Sequence, residues 1–338
     1  MKYIERNGFK LSNMTLGTSQ IGFPYGVANT TGWPGLEQSF DMLHFALENG
    51  VTSLDTARGY GESEERIGKF FSGSKFAGSM PYITTKLRIG LGTNRPGGVI
   101  LSPGELDELA TQCISEYEQW KRTIIDTIEM SLSQLGLSKV NCIMLHDPIE
   151  MLAGGSVLAK VMGELVTKGY TDEVGVSVYQ PSEVDAMLQY DEFSATQLPF
   201  NLFDQKMIHS GSLKKLKEKN YVVFVRSVFL QGLFFLDPEE LDDPLLIEHA
   251  APHIRTLRQL AYDEGVSIAQ LAISFVRDTE GVTSLVLGCE TNGQIAENIE
   301  LISGPEISKK TMEAARTAFP NLAYEEIMTV LRRPKVWR

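Results

Sequence analysis

Four side chains stand just beyond short apolar runs, where a strand would end and a ligand could begin. Asp55 follows residues 51–54, Lys86 follows 82–85, His146 follows 140–145, and Tyr60 lies in the polar stretch Asp-Thr-Ala-Arg-Gly-Tyr-Gly-Glu-Ser-Glu that runs from Asp55 to Glu64. A carboxylate beside an ammonium and a phenol suits proton transfer: Asp55 would hold the Lys86 ammonium near Tyr60, and that charge favours ionisation of the phenol. When a carbonyl is reduced, negative charge grows on oxygen as hydride reaches carbon. A phenol that delivers a proton and an imidazole that donates a hydrogen bond are complementary in that step. Nicotinamide would supply the hydride and leave the protein to align the reactants, with no metal required.

Taken singly, each residue has a plainer use. Asp55 could cap a helix or brace a loop, Tyr60 could pack, Lys86 could lie on the surface and His146 could be a structural histidine. Asp55, Lys86 and His146 without nicotinamide would also suit hydrolase or lyase chemistry. A nicotinamide-bound regulatory or scaffold protein with little turnover is a further alternative. Placement after successive strands is what ranks carbonyl reduction first.

These residues need a framework that gathers strand ends. Strands are expected at 13–18, 51–54, 82–85, 140–145, 173–178, 195–198, 221–225 and 283–287, from short apolar runs bounded by turn residues. Between them, helical spacing marks Phe40 to Leu47, 63–71, 157–166, 181–188, 213–219 and the run from Leu257 to Phe275. The stretch 105–135 holds one long helix or two. Eight strand-then-helix units predict a (β/α)8 TIM barrel, with additional C-terminal helices in 308–331, as a single domain over 1–338. An open parallel sheet would instead place its crevice where strand order reverses, whereas Asp55, Lys86, His146 and then Gln197 recur at separate strand ends.

Composition narrows the partners. Lys and Arg total 31 against 43 Asp and Glu, and the resulting charge of -12 repels a polyanion. The basic run 214–219 reads as the wet face of a short helix and Arg332-Arg333 as unspecific, so nucleic acid is not expected as a partner. No window approaches the 18 or so apolar residues of a membrane span, and the first residues lack a secretory leader's apolar stretch. A cytoplasmic protein with no membrane partner is therefore expected. Cys113, Cys142 and Cys289 have no metal spacing and read as reduced thiols. Gly17, Gly22 and Gly26 permit a close-packed loop or simple turns, without the spacing of a mononucleotide fingerprint.

On these residues the chain resembles the aldo-keto reductase family. Leu16-Gly17-Thr18-Ser19, the Asp55 to Glu64 stretch, Thr85-Lys86 and Leu145-His146 match that family's order and local context across most of the chain. The resemblance implies a (β/α)8 barrel that reduces an aldehyde, ketone or open-chain sugar with NADPH or, in fewer members, NADH. It implies Tyr60 as the acid, Lys86 and Asp55 as the groups that tune it, and His146 as the group that orients the carbonyl. The cofactor contacts implied are Thr18, Ser177, Gln197, Asn201, Arg226, Ser227, Phe229, Leu230, Gln231 and Gly232 toward the nicotinamide and pyrophosphate. Gly288, Glu290, Gln294, Glu297 and Asn298 fall at the adenine-ribose end.

The sequence departs from the family at several points. Val178 stands where many relatives have Asn, and Arg226 where many have an aromatic residue, so Arg226 could instead approach a phosphate or an acidic substrate, or form a salt bridge unrelated to ligand. Glu290 and Gln294 occupy places where NADPH-preferring relatives carry a phosphate-binding group. NADP(H) is therefore expected to be favoured only modestly, with NAD(H) as the alternative. Phe23, Tyr25, Trp33, Met151 and Leu152 are expected to help line the mouth, and residues 88–103 to cap it, fold across the exterior or mediate assembly. Asp147 and Glu150 are expected to make that mouth anionic, against an acidic substrate. The partner expected is a small-molecule carbonyl substrate, and nothing in the sequence assigns an oligomeric state.

Overall fold

Short apolar strands buried on both faces need a partner on each side, and parallel strands with helical crossovers supply it. The computed structural model describes residues 1–24, 32–73, 78–90, 103–115, 117–319 and 322–332. Tyr25, Gly26, positions 91–102 of the 88–103 segment and the Cys113 side chain lie outside the described residues. Strands β1 (Tyr3–Arg6) and β2 (Phe9–Ser12) form an antiparallel hairpin. Its turn, Asn7-Gly8, has φ of 50° and 80°, the left-handed pair that a two-residue hairpin favours.

Eight further strands follow: β3 (Met14–Gly17), β4 (Ser53–Asp55), β5 (Tyr82–Leu87), β6 (Val140–Leu145), β7 (Thr171–Ser177), β8 (Phe193–Pro199), β9 (Val222–Arg226) and β10 (Ser284–Gly288). They pair in parallel in that order, and β10 closes on β3 to complete the barrel. The expected fold class therefore stands, including helices Lys309–Thr317 and Tyr324–Leu331 in the C-terminal tail.

Alternate residues on a strand face the same way, and contacts fix which set points inward. The Thr15 hydroxyl meets those of Ser53 and Ser284 at 2.7 Å each. Tyr82, Cys142, Met144, Ala195, Val222 and Phe224 pack together, and Leu11 of the hairpin joins them. Arg6 closes the barrel floor with a 2.6 Å bond from Nη2 to Glu173, whose carboxylate also accepts from Tyr82 and Ser194.

Two helical expectations are refined. The stretch 105–135 is two helices, Pro103–Ser115 and Tyr117–Leu135. The helix expected from 157 begins earlier, spanning Pro148–Thr167, with Gly155 at φ 51° interrupting it. That interruption breaks the spacing by which the first turns would be read. No helix among the described residues is long and apolar enough to cross a membrane.

Candidate active site

The inward positions at the strands' C-terminal ends are Gly17, Asp55, Lys86, Ser177, Gln197, Arg226 and Gly288, with His146 one residue past the end of β6. All but Lys86 line a cavity of about 680 Å³, with Tyr60 on the same wall. Lys86 lies beneath it, 1% exposed, and Asp55 is nearly as buried. Lys86 Nζ is 2.7 Å from Asp55 Oδ1 and donates to Oδ2 at 2.8 Å, to the Thr56 carbonyl at 3.0 Å and to the Tyr60 hydroxyl at 3.3 Å. Gln197 Nε2 donates to Asp55 Oδ1 at 2.8 Å. Burial opposes the charge on Lys86, but the Asp55 carboxylate and the Tyr60 oxygen outweigh it and hold the lysine above its ordinary pKa. The Tyr60 and His146 rings meet edge to face, 5.6 Å between centroids. Burial, reinforced by the charges of Lys86, Arg88 and Arg226, pushes His146 down to about 2, so its imidazole is neutral.

Backbone packing places Tyr60. A Cβ on Gly22 would lie 1.8 Å from the Tyr60 carbonyl oxygen, and one on Gly61, at φ 54°, would lie 2.4 Å from the Gly22 oxygen. Only glycine permits that approach. Ser63 donates to Thr18 at 2.6 Å and pairs with Thr56 at 2.9 Å, while Thr18 donates to the Asp55 carbonyl at 2.8 Å. These hydroxyls fasten the start of helix Ser63–Gly73 to the ends of β3 and β4. Glu64, buried, accepts from Thr85 at 2.6 Å and lies 3.5 Å from Arg58.

Most of the residues expected around a cofactor are brought to the cavity: Ser177, Gln197, Arg226, Ser227, Phe229, Gln231, Gly232, Gly288, Glu290, Gln294, Glu297 and Asn298. Three are not. Thr18 is fully buried in the hydroxyl chain above. Asn201 braces the loop after β8, donating to the Ser227 carbonyl and accepting from the Phe203 and Asp204 amides, and Leu230 packs in the core. They adjoin the wall in sequence but turn away from it.

The mouth also differs from expectation. Asp147 accepts from the Ile149 amide at 3.1 Å as the cap of helix Pro148–Thr167. Glu150 is fully buried and accepts from the Ile89 and Gly90 amides at 2.6 and 3.1 Å. Neither lines the cavity, so they do not make it anionic. Met151 and Leu152 join the core rather than the wall, and Trp33 lies over the Arg66 guanidinium at 4.9 Å, away from the cavity lining. Phe23 does line it.

Sequence reading missed Gln20, Arg88, Tyr179 and Phe235 as lining residues. Arg88 carries a usable signal, since two residues beyond Lys86 is the same face of the chain. The wall's donor set fits a nicotinamide dinucleotide. The Gln197 amide and Ser177 hydroxyl offer hydrogen bonds of the kind a carboxamide needs. The 227–232 turn holds left-handed backbone at Ser227, Leu230, Gln231 and Gly232, a strain usually reserved for functional loops. Helix Asn292–Ser303, capped by Thr291, begins beside Glu290 and Gln294.

The sequence pattern of the aldo/keto reductase family matches residues 13–318. L-glyceraldehyde 3-phosphate reductase of Escherichia coli (strain K12) is 22% identical, over 92% of this chain and 90% of that protein. Aldo-keto reductase YhdN of Bacillus subtilis is 24% identical, over 94% and 93%. Among solved structures, the holo form of aldo-keto reductase AKR11C1 from Bacillus halodurans superposes with a TM-score of 0.70 at 17% identity, covering 96% of this chain and 98% of that one.

Proposed function

Because the chain belongs to the aldo/keto reductase family, we propose that it reduces a small aldehyde, ketone or open-chain sugar with a nicotinamide cofactor, reversibly in principle. The observation that carries this reading is the buried Lys86 ammonium, bound to Asp55 on one side and 3.3 Å from the Tyr60 oxygen on the other. Both Asp55 oxygens are engaged, by Lys86 and Gln197, so Asp55 is poorly placed as a hydrolytic base or nucleophile. Lys86, held above its ordinary pKa, is likewise no nucleophile. The arrangement suits a phenol that gives up a proton.

A nicotinamide held along this wall would supply hydride chemistry for the carbonyl carbon. Tyr60 gives its phenolic proton to the carbonyl oxygen, and the Lys86 ammonium stabilises the phenolate left behind. The neutral His146 ring, edge-on to Tyr60, donates a hydrogen bond to the same oxygen as its charge grows. Solvent returns the proton to Tyr60 before the next turnover. The same groups in reverse serve oxidation of the alcohol. Residues from Ser177 and Gln197 through the 227–232 turn to Asn298 would hold the cofactor along the wall.

NADP(H) is the favoured cofactor, on the family's tendency, and NAD(H) the alternative. Discrimination is modest because the charged cavity residues at the β10 end, among those described, are Glu290 and Glu297. A carboxylate disfavours a 2′-phosphate. Replacing Glu290→Arg should raise NADPH affinity over NADH by roughly ten- to a hundredfold, the worth of one charged hydrogen bond at about 1.5–3 kcal/mol. Paired binding titrations with no differential change would reject this role for Glu290.

The reaction is tested by following loss of reduced-nicotinamide absorbance with NADPH and NADH across aldehydes, ketones and sugars. Substrate-dependent oxidation is expected. Tight cofactor binding with no turnover on any member would favour the regulatory alternative.

A further inference from the structure

We infer that the carbonyl substrate carries an anionic group, a carboxylate or a phosphate ester, near its reacting carbon, and that the Arg88 and Arg226 guanidinium groups grip it. The inference rests on the reductase reading and names its substrate class.

Arg88 and Arg226 are the cationic side chains among the described residues that line the cavity, and they share that wall with Tyr60 and His146. Both are close enough to His146 to depress its ionisation, which places their charge at the reacting end. There Asp55 and Lys86 cancel one another at 2.7 Å, and His146 is neutral. The two guanidinium groups therefore bring positive charge to that end of the cavity, in a chain whose formal charge is -12. The acidic lining residues Glu290 and Glu297 belong to the β10 end, in the loop and helix after Gly288.

The Arg226 side chain is also held, as is the backbone that follows Arg88. Arg226 ends β9 and lies over the Tyr179 ring, 4.4 Å from guanidinium carbon to centroid, which limits the positions its donors can take. Arg88 follows β5, and the next two amides, Ile89 and Gly90, are bound by the buried Glu150 carboxylate. A planar guanidinium matches the paired oxygens of a carboxylate or phosphate, and one held against a ring loses less freedom on binding.

The test compares matched substrates that differ in one charged group: succinic semialdehyde with butanal, and glycolaldehyde phosphate with glycolaldehyde. At low salt, kcat/KM for at least one charged member should exceed that of its neutral partner by about tenfold or more, the scale of one charge-assisted hydrogen bond. The pair with the larger ratio identifies carboxylate or phosphate. That ratio should fall toward unity in Arg88→Gln and in Arg226→Gln, and added salt should raise KM for the charged member alone. Neutral members reduced as well as charged ones would overturn the inference while leaving the reductase reading intact. So would an Arg226→Gln variant that weakens cofactor binding yet keeps the ratio, which would assign that arginine to the cofactor. No turnover on any member would overturn both readings together.

Discussion

A buried ammonium is costly unless a carboxylate accompanies it, and Lys86 keeps its charge because Asp55 lies 2.7 Å away. The pair's value is positional: it sets a fixed positive charge 3.3 Å from the Tyr60 oxygen. The position of that oxygen depends in turn on Gly22. Gly22→Ala would drive a methyl into the Tyr60 backbone, at 1.8 Å from its carbonyl oxygen, so the phenol must move. A displacement near 1 Å should lower kcat by about 10²-fold while cofactor binding is largely kept; an unchanged kcat would show that the loop absorbs the methyl elsewhere. His146 makes a separate prediction. Its pKa of about 2 lies below the ordinary 6.5. Between those values the unfolded chain binds a proton that the folded chain refuses, so this residue adds stability as pH rises through that window. Above it the imidazole stays neutral, and kcat/KM should show no histidine limb from about pH 5 to pH 8. A limb near the ordinary histidine value that disappears in His146→Asn would contradict the neutral donor.

At the scale of elements, Glu150 joins helix Pro148–Thr167 to the chain leaving β5 through two amide bonds. Burial pushes its carboxyl up to about 8, against those two amides and with Asp147 adding repulsion. The sign is opposite to that of His146. From the ordinary 4.5 up to about 8, the folded chain holds a proton that the unfolded chain releases, so stability falls as pH rises, by up to about 4–5 kcal/mol across the window. Glu150→Gln keeps the accepting oxygen and removes the titration. Its urea midpoint should fall less than that of the wild type between about pH 5 and pH 9; equal slopes would place the titrating group elsewhere. In sequence, Glu150 reads as a mouth residue because Gly155 interrupts its helix and hides the turn that buries it. The hairpin β1–β2 was unread for a related reason. Its strands are four residues long and β1 is largely exposed, so neither makes an apolar run.

For the whole molecule, closing the barrel converts eight separate strand ends into one wall, so Asp55 and Gln197, far apart in sequence, meet at 2.8 Å. That much was legible: alternating apolar runs predict the strands, and a polar residue closing a run predicts its inward tip. Thr18, Asn201 and Leu230 lie off the cavity lining because a shift of one residue reverses the face presented, and loop packing after a strand does not follow the period of two. Arg88 was passed over as the edge of a long segment, although it continues the face of Lys86. The account stands or falls on Tyr60, which the fold holds between Lys86 and the cavity. Tyr60→Phe removes one oxygen and leaves the ring packed against His146. Rates of NADPH-dependent reduction of the best carbonyl substrate, measured alongside NADPH affinity, test the claim directly. The account predicts unchanged affinity and a rate at least about 10²-fold lower, and reduction at the wild-type rate would contradict it.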